Sequence, residues 1–443
     1  MKIQLSDHFT YKRLLRFVLS SILMMICTSL YSIVDGFFVS NFVGKAPFAA
    51  INLIMPIMMG IGTIGFMVGT GGSAIVSKTL GEGNKELANR YFSLFVYVSL
   101  IFSVLLSVIG FVFIRPLSAA LGAEGELLEY CTIYGKILFL SQTAFIMQNI
   151  FQSFFVTAER PDLSLKVSIM AGMTNVVLDF LFIVVFQWGI AGAAIATAMG
   201  QVVGGIVPIL YFSRKNNSLL RLTSTSFYGR ILLKMCTNGS SEMVTNLSSS
   251  IINILYNFQL MKLAGEDGIA AYGVIMYVNF IFMAVYFGYS IGSAPIISYH
   301  YGAANHHELK NLFRKSLILL SSTGFILTFL AEIFTVPLVH IFVSYDPELF
   351  SITCRGFRLY SLSFLIMGLN IWGSAFFTAL NNGAVSAIIS FLRTLVFQIV
   401  IVLILPQFLG IDGIWLSIVF AELLAVGVTL LFFVIKRKRY HYV

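Results

Sequence analysis

Apolar runs long enough to cross a bilayer, which takes about 20 residues, recur from Leu15 to Ile435 with only short polar breaks between them. The breaks delimit spans at residues 15–39, 47–77, 92–114, 131–156, 164–187, 190–212, 232–261, 268–298, 312–335, 355–379, 384–405 and 411–435. With no water in the hydrocarbon to satisfy exposed backbone groups, such runs must be helical. The pattern therefore predicts an all-α integral membrane protein of about twelve transmembrane helices, with no sizeable aqueous domain. The first run follows Lys2, Lys12, Arg13 and Arg16 as a secretory leader would, but it continues past Ile33 without a small-residue cleavage site. It is read as the first span.

Sliding the chain against itself reveals a repeat at an offset of 221 residues that needs no gaps. It pairs Gly44 with Gly265, Gly71 with Gly292, Asn84 with Asn305, Pro116 with Pro337, Asn149 with Asn370 and Gly189 with Gly410. Each half holds six spans, an even number, so both halves enter the membrane with the same orientation. That is a parallel repeat about an axis along the membrane normal, expected to form two six-helix bundles around a central cavity. The expected units are a first bundle over residues 1–212, a cytoplasmic linker over 213–231 and a second bundle over 232–443.

Composition agrees: 58% of residues are hydrophobic, 11% are charged and mean hydropathy is +0.91, against roughly 25% charged residues in a soluble domain. A soluble enzyme is excluded. The net charge of +9 raises the question of a nucleic-acid partner, but the basic residues alternate by loop. Of the 28 Lys and Arg, 21 fall on one side, among them the amino-terminal four, Arg214, Lys215 and the tail Lys436 to Arg439. The other side has Lys45, Arg115 and Lys262 and gathers acids such as Glu124, Glu126, Glu129, Asp346 and Glu348. This bias puts both termini in the cytoplasm of a multi-pass inner (plasma) membrane protein and makes the basic tail a topology anchor; no nucleic acid is expected. Cys27, Cys131, Cys236 and Cys354 are dispersed and imply neither a disulfide framework nor a metal site. The Asn-x-Ser triplets at Asn216, Asn238 and Asn246 lie where glycosylation cannot reach them.

Acids within spans are costly, at about 2.5 to 3.5 kcal/mol each on insertion scales, and they are few: Asp35, Asp179, Glu242, Glu332 and Glu422. Under the repeat, Asp35 pairs with Tyr256, Asn175 with Val396, Asp179 with Val400 and Thr197 with Ile418, so a polar cluster of the first half has no counterpart in the second. Asn175 and Asp179 stand four apart and share a helix face. Asp35, Asn175, Asp179 and Thr197 all offer oxygen, which hard cations prefer. For Thr197 a bond to its own helix backbone is the competing reading.

The stretch SLYSIVDGFFVSNFVGKAPFAAINL from Ser29, followed by GTGGSAIVSKTLGEGN from Gly69, resembles the multidrug and toxic compound extrusion (MATE) exporters, and IGSAPIISYHYGAAN from Ile291 is its second-half counterpart. The resemblance covers practically the whole chain. It implies a cation-coupled antiporter, driven by H+ or Na+, that exports amphipathic and cationic small molecules by alternating access, with no cofactor. It also implies a first-half cation site at Asp35, Asn175, Asp179 and Thr197, from an acid on span one, an Asn and an acid on span five and a Thr on span six. A related sodium-coupled branch carries an acid where Glu242 stands and a further acid on span ten that is missing here, so Glu242 either attracts a cationic substrate or sits near cytoplasmic water. The span-one proline of some relatives is also missing.

Glu332 is read as interfacial, and Glu422 as paired with Arg393. Gly60, Gly62, Gly65, Gly69, Gly71 and Gly72 along span two serve tight packing or a hinge. Met24, Met25, Met55, Met58, Met59 and Met67 offer adaptable surface for varied ligands, beside ordinary core packing. The rival reading is a flippase for lipid-linked oligosaccharide or a related lipid, which would want a basic cavity, whereas basic residues in spans are confined to Lys136, Arg355, Arg358 and Arg393. An intramembrane enzyme is disfavoured, since His300, His306 and His307 belong to a loop and no hydrolase motif lies in a span. The expected partners are a small-molecule substrate and the lipid bilayer, and the expected unit is a monomer.

Overall fold

The structure, a computed structural model, describes residues 3–343 and 346–443, apart from the side chains of Ser32, Ser40 and Lys45. Lys2 and the Lys45 side chain, used above in the charge bias, lie outside the described residues. Six long helices come first: α1 (Tyr11–Phe42), α2 (Lys45–Gly81), α3 (Lys85–Ala120), α4 (Gly125–Thr157), α5 (Pro161–Asp179) and α6 (Gly189–Ser213). Gly229–Gly302 then runs as 74 helical residues. At 1.5 Å per residue it would be about 110 Å long if straight, several bilayers thick. Gly265, with φ 63, breaks it into α7 and α8. After α9 (His306–Phe342), Pro347–Ser361 and Phe364–Ala379 form a span bent by 50°, α10, followed by α11 (Gly383–Leu409) and α12 (Ile411–Tyr440).

Among the described residues, nine helices are long and apolar enough to cross a membrane, and bent α10 makes a tenth. The break at Gly265 adds one more crossing. The last is α4, whose buried face carries Ser141, Gln142, Gln148, Asn149 and Gln152. A helix surrounded by protein on one side can afford polar groups that a lipid-facing one cannot.

The 221-residue repeat is visible in the backbone. Gly189 and Gly410, paired by it, open α6 and α12 with φ 57 and 59. Asn84 and Asn305, another pair, cap α3 and α9 by accepting the backbone N–H of Leu87 at 3.0 Å and of Glu308 at 3.1 Å. An N-cap satisfies a helix donor that otherwise has no partner. The preceding turns need a left-handed residue, supplied by Gly83 (φ 83) and by Ala304 (φ 52).

The first and second sets of six helices meet along a seam of α1 and α2 against α7 and α8. Backbones touch there because glycines carry no side chain. A Cβ on Gly71 would meet the Met235 carbonyl, one on Gly239 the Met67 carbonyl, one on Gly81 the Tyr299 carbonyl and one on Gly302 the Lys78 carbonyl. Asn238 Nδ2 and Ser298 Oγ donate across the same seam to the carbonyls of Gly71 and Ala74. These approaches cluster at the ends of α2 and α8 and the start of α7, on the face that carries both termini. That face is identified by Phe9 against His300, with ring centroids 6.4 Å apart, and by His441 against His306, 4.8 Å apart.

For α2, the packing reading of its glycines holds over most of the run. Gly65 and Gly69 face the backbone of α4, with an added Cβ 2.7 Å from the Ile146 carbonyl and 3.1 Å from that of Asn149, whereas nothing lies within 4 Å of Gly60. Gly239→Val is expected to cost about 1 to 3 kcal/mol through overpacking and to lower the thermal midpoint, with Gly60→Val close to neutral. Equal midpoints for the two variants would remove the seam argument.

Candidate cation site and central cavity

Three helices of the first half, α1, α5 and α6, pack side by side, and small residues set how closely. A Cβ on Gly172 of α5 would fall 2.7 Å from the Tyr31 ring of α1, and one on Gly200 of α6 would fall 2.9 Å from the Ala171 carbonyl of α5. This closeness brings Asn175, Asp179 and Thr197 against the Asp35 carboxyl. The sequence-derived set is thus assembled in one place by three separate helices.

Asp179 is fully buried, Asn175 is 5% exposed, and Asp35 and Thr197 are partly buried. Asp35 Oδ1, Asn175 Nδ2, both carboxylate oxygens of Asp179 and Thr197 Oγ1 are all buried without a hydrogen-bond partner. Buried polar atoms are almost always paired in native structures, and although Asn175 and Thr197 lie close enough to give donors to Asp35, the two carboxylates outnumber the hydrogens in reach. Two carboxylates facing each other have no hydrogen to share. A proton between them, or a hard cation bound by the Asp35, Asp179 and Thr197 oxygens, would relieve the repulsion, while the Asn175 amide N–H is a donor whose natural partner is a carboxylate oxygen. The residues present fit such an ion.

Sequence reasoning missed three things here. Tyr134 of α4 is 1% exposed and faces both Asp35 and Asp179. The Tyr31 hydroxyl stands beside Thr28 and Gln148 on the α1 side of the cluster. The third is the backbone: α5 ends as an α-helix at Asp179 and continues as π-turns over Phe180–Val185. π-bulges are rare and concentrate at functional sites. The polar face of α4 was the available signal for Tyr134 and Gln148, but no residue-level pattern marks a π-turn.

Among the described residues, the second half has no equivalent cluster. Tyr256 stands where Asp35 would repeat and donates to Gln398 Oε1 at 3.0 Å, and Val400 stands where Asp179 would. It carries a compensated pair instead: Arg393 Nε donates to the two Glu422 oxygens at 2.8 and 3.0 Å, and Asn370 Nδ2 donates to the same carboxylate at 2.7 Å. Arg393 lies in a second π-segment, Leu392–Val396. The Glu332 carboxylate accepts from Ser361 Oγ at 2.9 Å.

Between the halves lies a cavity of some 880 Å³, part of it open to solvent, walled by Met25, Phe66, Glu242, Asn246, Ser290 and Thr378 among others. Glu242 is the cavity's carboxylate, near Arg393. Of the six methionines proposed as adaptable surface, Met25 is on the wall, whereas Met24 and Met58 are buried in the core at 0% and 3% exposure. His300 is no loop residue: it ends α8 at 2% exposure, and His306 opens α9.

The MatE family model matches residues 20–181 and again 242–404. Over 413 residues the chain is 23% identical to the multidrug export protein MepA of Staphylococcus haemolyticus (strain JCSC1435), covering 93% of this chain and 90% of that protein. It is 23% identical to MepA of Staphylococcus aureus (strain bovine RF122 / ET3-1) over 435 residues, covering 97% and 94%. A crystal structure of MATE in complex with MaL6 superposes with a TM-score of 0.91 at 22% identity, covering 98% of this chain and 97% of that one. An outward-facing multidrug resistance MATE transporter superposes at 0.90, also at 22% identity, over 98% of both chains. The chain belongs to the MatE family: it is a multi-pass membrane transporter of the multidrug and toxic compound extrusion type, not an enzyme.

Proposed function

We propose that the protein is a cation-coupled antiporter, driven by H+ or Na+, that exports amphipathic, cationic small molecules across the plasma membrane by alternating access, as a monomer. The observation that carries this reading is the group of four buried, unpartnered oxygens on Asp35, Asp179 and Thr197, with Asn175 beside them. A site that lacks a partner for so many groups is at rest only when an ion is bound, which makes loading and unloading of that ion a natural driver of conformational change. Residues 1–212 and 232–443 are the units that rock, joined by 213–231. The positive-inside bias places the termini face in the cytoplasm, so the closed seam corresponds to a cavity shut to the cytoplasm.

The cavity supplies the substrate side. Phe66, Phe287 and Met25 give apolar contact around Glu242, the mix of apolar wall and a single charged group that small-molecule sites use. Arg393, the basic group nearest Glu242, is already held by Glu422, so the wall presents a carboxylate to a cation and offers little to a pyrophosphate.

The test is uptake into inverted vesicles under an imposed pH gradient or sodium gradient, each applied alone. Transport of a lipophilic cation should follow at least one of them, and Glu242→Gln should raise its half-saturating concentration about tenfold, the loss of one charge-assisted contact worth about 1.5 kcal/mol. Movement of lipid-linked oligosaccharide with no gradient-driven cation export would replace this reading with a flippase.

A further inference from the structure

Two stretches outside the spans are bonded to the bundle they do not lead into. Residues 3–10 lead into α1 of the first half, yet they are stitched to α9 of the second. Phe9 N–H donates to Glu308 Oε1 at 2.9 Å, His8 Nδ1 lies 2.6 Å from Glu308 Oε2, and Asn311 Nδ2 and Lys315 Nζ donate to the Phe9 carbonyl at 3.0 and 2.5 Å. Leu5 and Phe9 are fully buried, and Leu5 N–H donates to Glu159 Oε1 at 2.7 Å, back in the first half. The arm therefore spans both halves.

The linker repeats the arrangement from the other side. It leads into α7 of the second half and is stitched to α3 of the first. Arg221 N–H donates to Asn89 Oδ1 at 2.6 Å, Thr223 N–H to Ser93 Oγ at 2.8 Å, and Thr225 Oγ1 to the Arg90 carbonyl at 2.8 Å. Leu220 is fully buried beneath it. Under the 221-residue repeat α3 corresponds to α9, and Arg90 to Asn311, whereas residues 3–10 map onto 224–231, so the two stretches meet counterpart helices without matching position for position. Their chemistry differs: one binds through a buried carboxylate, the other through an amide and a hydroxyl. The third helix of each half thus carries a strap, held by unlike residues.

Both straps cross the seam whose opening would admit the cytoplasm to the cavity. Moving the bundles apart on that face carries α1 away from α9 and α7 away from α3, and the straps cannot follow both. Resting on the alternating-access reading above, we propose that residues 3–10 and 216–228 are paired ties that hold the cytoplasmic side shut, and that their release is a condition for the cavity to open inward. The Glu308 carboxylate is the strongest point of the first tie, because it takes three donors with its side chain 4% exposed. Charge-assisted bonds in such surroundings are the strong ones.

The test uses the full chain with the four native cysteines replaced and spin labels at Lys85→Cys and Lys310→Cys, exposed sites at the cytoplasmic ends of α3 and α9. Pulsed dipolar spectra should show one short distance for the parent. In Glu308→Gln and in His8→Ala the longer-distance population should rise about tenfold, as expected for the loss of one charge-assisted hydrogen bond. Ser93→Ala reads the second tie and serves if Glu308→Gln does not fold. A complementary pair, His8→Cys with Glu308→Cys, is bridged with a short cleavable thiol cross-linker. Bridging should cut export at least about tenfold, with recovery on cleavage. Unchanged distances in folded variants, or a bridged protein that exports at the unbridged rate, would overturn the proposal. The distance measurement needs no substrate or gradient, so it stands apart from failure of the coupling assignment.

Discussion

Asp179→Asn is expected to abolish gradient-driven export while leaving the protein folded. The substitution keeps shape and removes charge from a fully buried carboxylate whose two oxygens have no partner. Removing one of two facing acids lifts a repulsion, so the thermal midpoint should hold or rise. Coupling should nonetheless be lost, because the remaining group no longer needs an ion. For a neutral solute the driving force is set by charge movement: one elementary charge crossing about 100 mV releases about 2.3 kcal/mol, equivalent to roughly fifty-fold accumulation, whereas one-for-one exchange with a monovalent cation moves no net charge and draws on the concentration gradient of the coupling ion alone. Asp35→Asn should behave alike. Glu332→Gln should be mild, because that carboxylate already has Ser361 as a donor. The measurement is vesicle export under separate proton and sodium gradients. An Asp179→Asn protein that exports at the parental rate and responds unchanged to both gradients would sink the first-half site and direct attention to Glu242.

The second large effect concerns stability. Arg393→Ala leaves the Glu422 carboxylate, 1% exposed, without its guanidinium partner. Breaking a buried pair from one side costs about 3 to 5 kcal/mol, whereas replacing both members with apolar groups is often neutral. Arg393→Leu combined with Glu422→Leu should therefore recover most of the loss. Thermal unfolding in detergent micelles would show a large drop for the single variant and a small one for the double. If single and double variants melted together, the pair would not be the element holding α11 to α12.

Much of this architecture could be read from the chain. The spans and the repeat follow from hydropathy and self-similarity, and the cost of acids in lipid singles out Asp35 and Asp179, whereas grouping them with Asn175 and Thr197 came from the family resemblance. The Arg393 to Glu422 pair was legible from the same cost of charge in lipid. Features set by neighbours left weaker traces. The arm at residues 3–10 is polar in sequence, and nothing in Leu5 or Phe9 alone announces that each is fully buried. His300, in a stretch rich in histidine, reads as solvated, and only the covering arm makes it interior. Tyr134 is one aromatic among many until α4 is placed against α1 and α5. The π-turns after Asp179 correspond to no local propensity of the residues that form them.

The straps also settle where the bilayer itself can act. The two helices to which they are bonded, α3 and α9, have low buried shares, 17% and 22% over their most apolar stretches, against 39% for α2 and α6. Phe113 on one and Phe325 on the other are 57% and 69% exposed to the surroundings. These helices meet much hydrocarbon, and a mismatch between their length and the membrane costs fractions of a kcal/mol per ångström, relieved by tilt. Any tilt of α3 or α9 is handed directly to the strap anchored on it. On the antiporter reading proposed above, membrane thickness and lateral pressure join the coupling ion as forces on the proposed latch, and the lipid becomes a mechanical input to it.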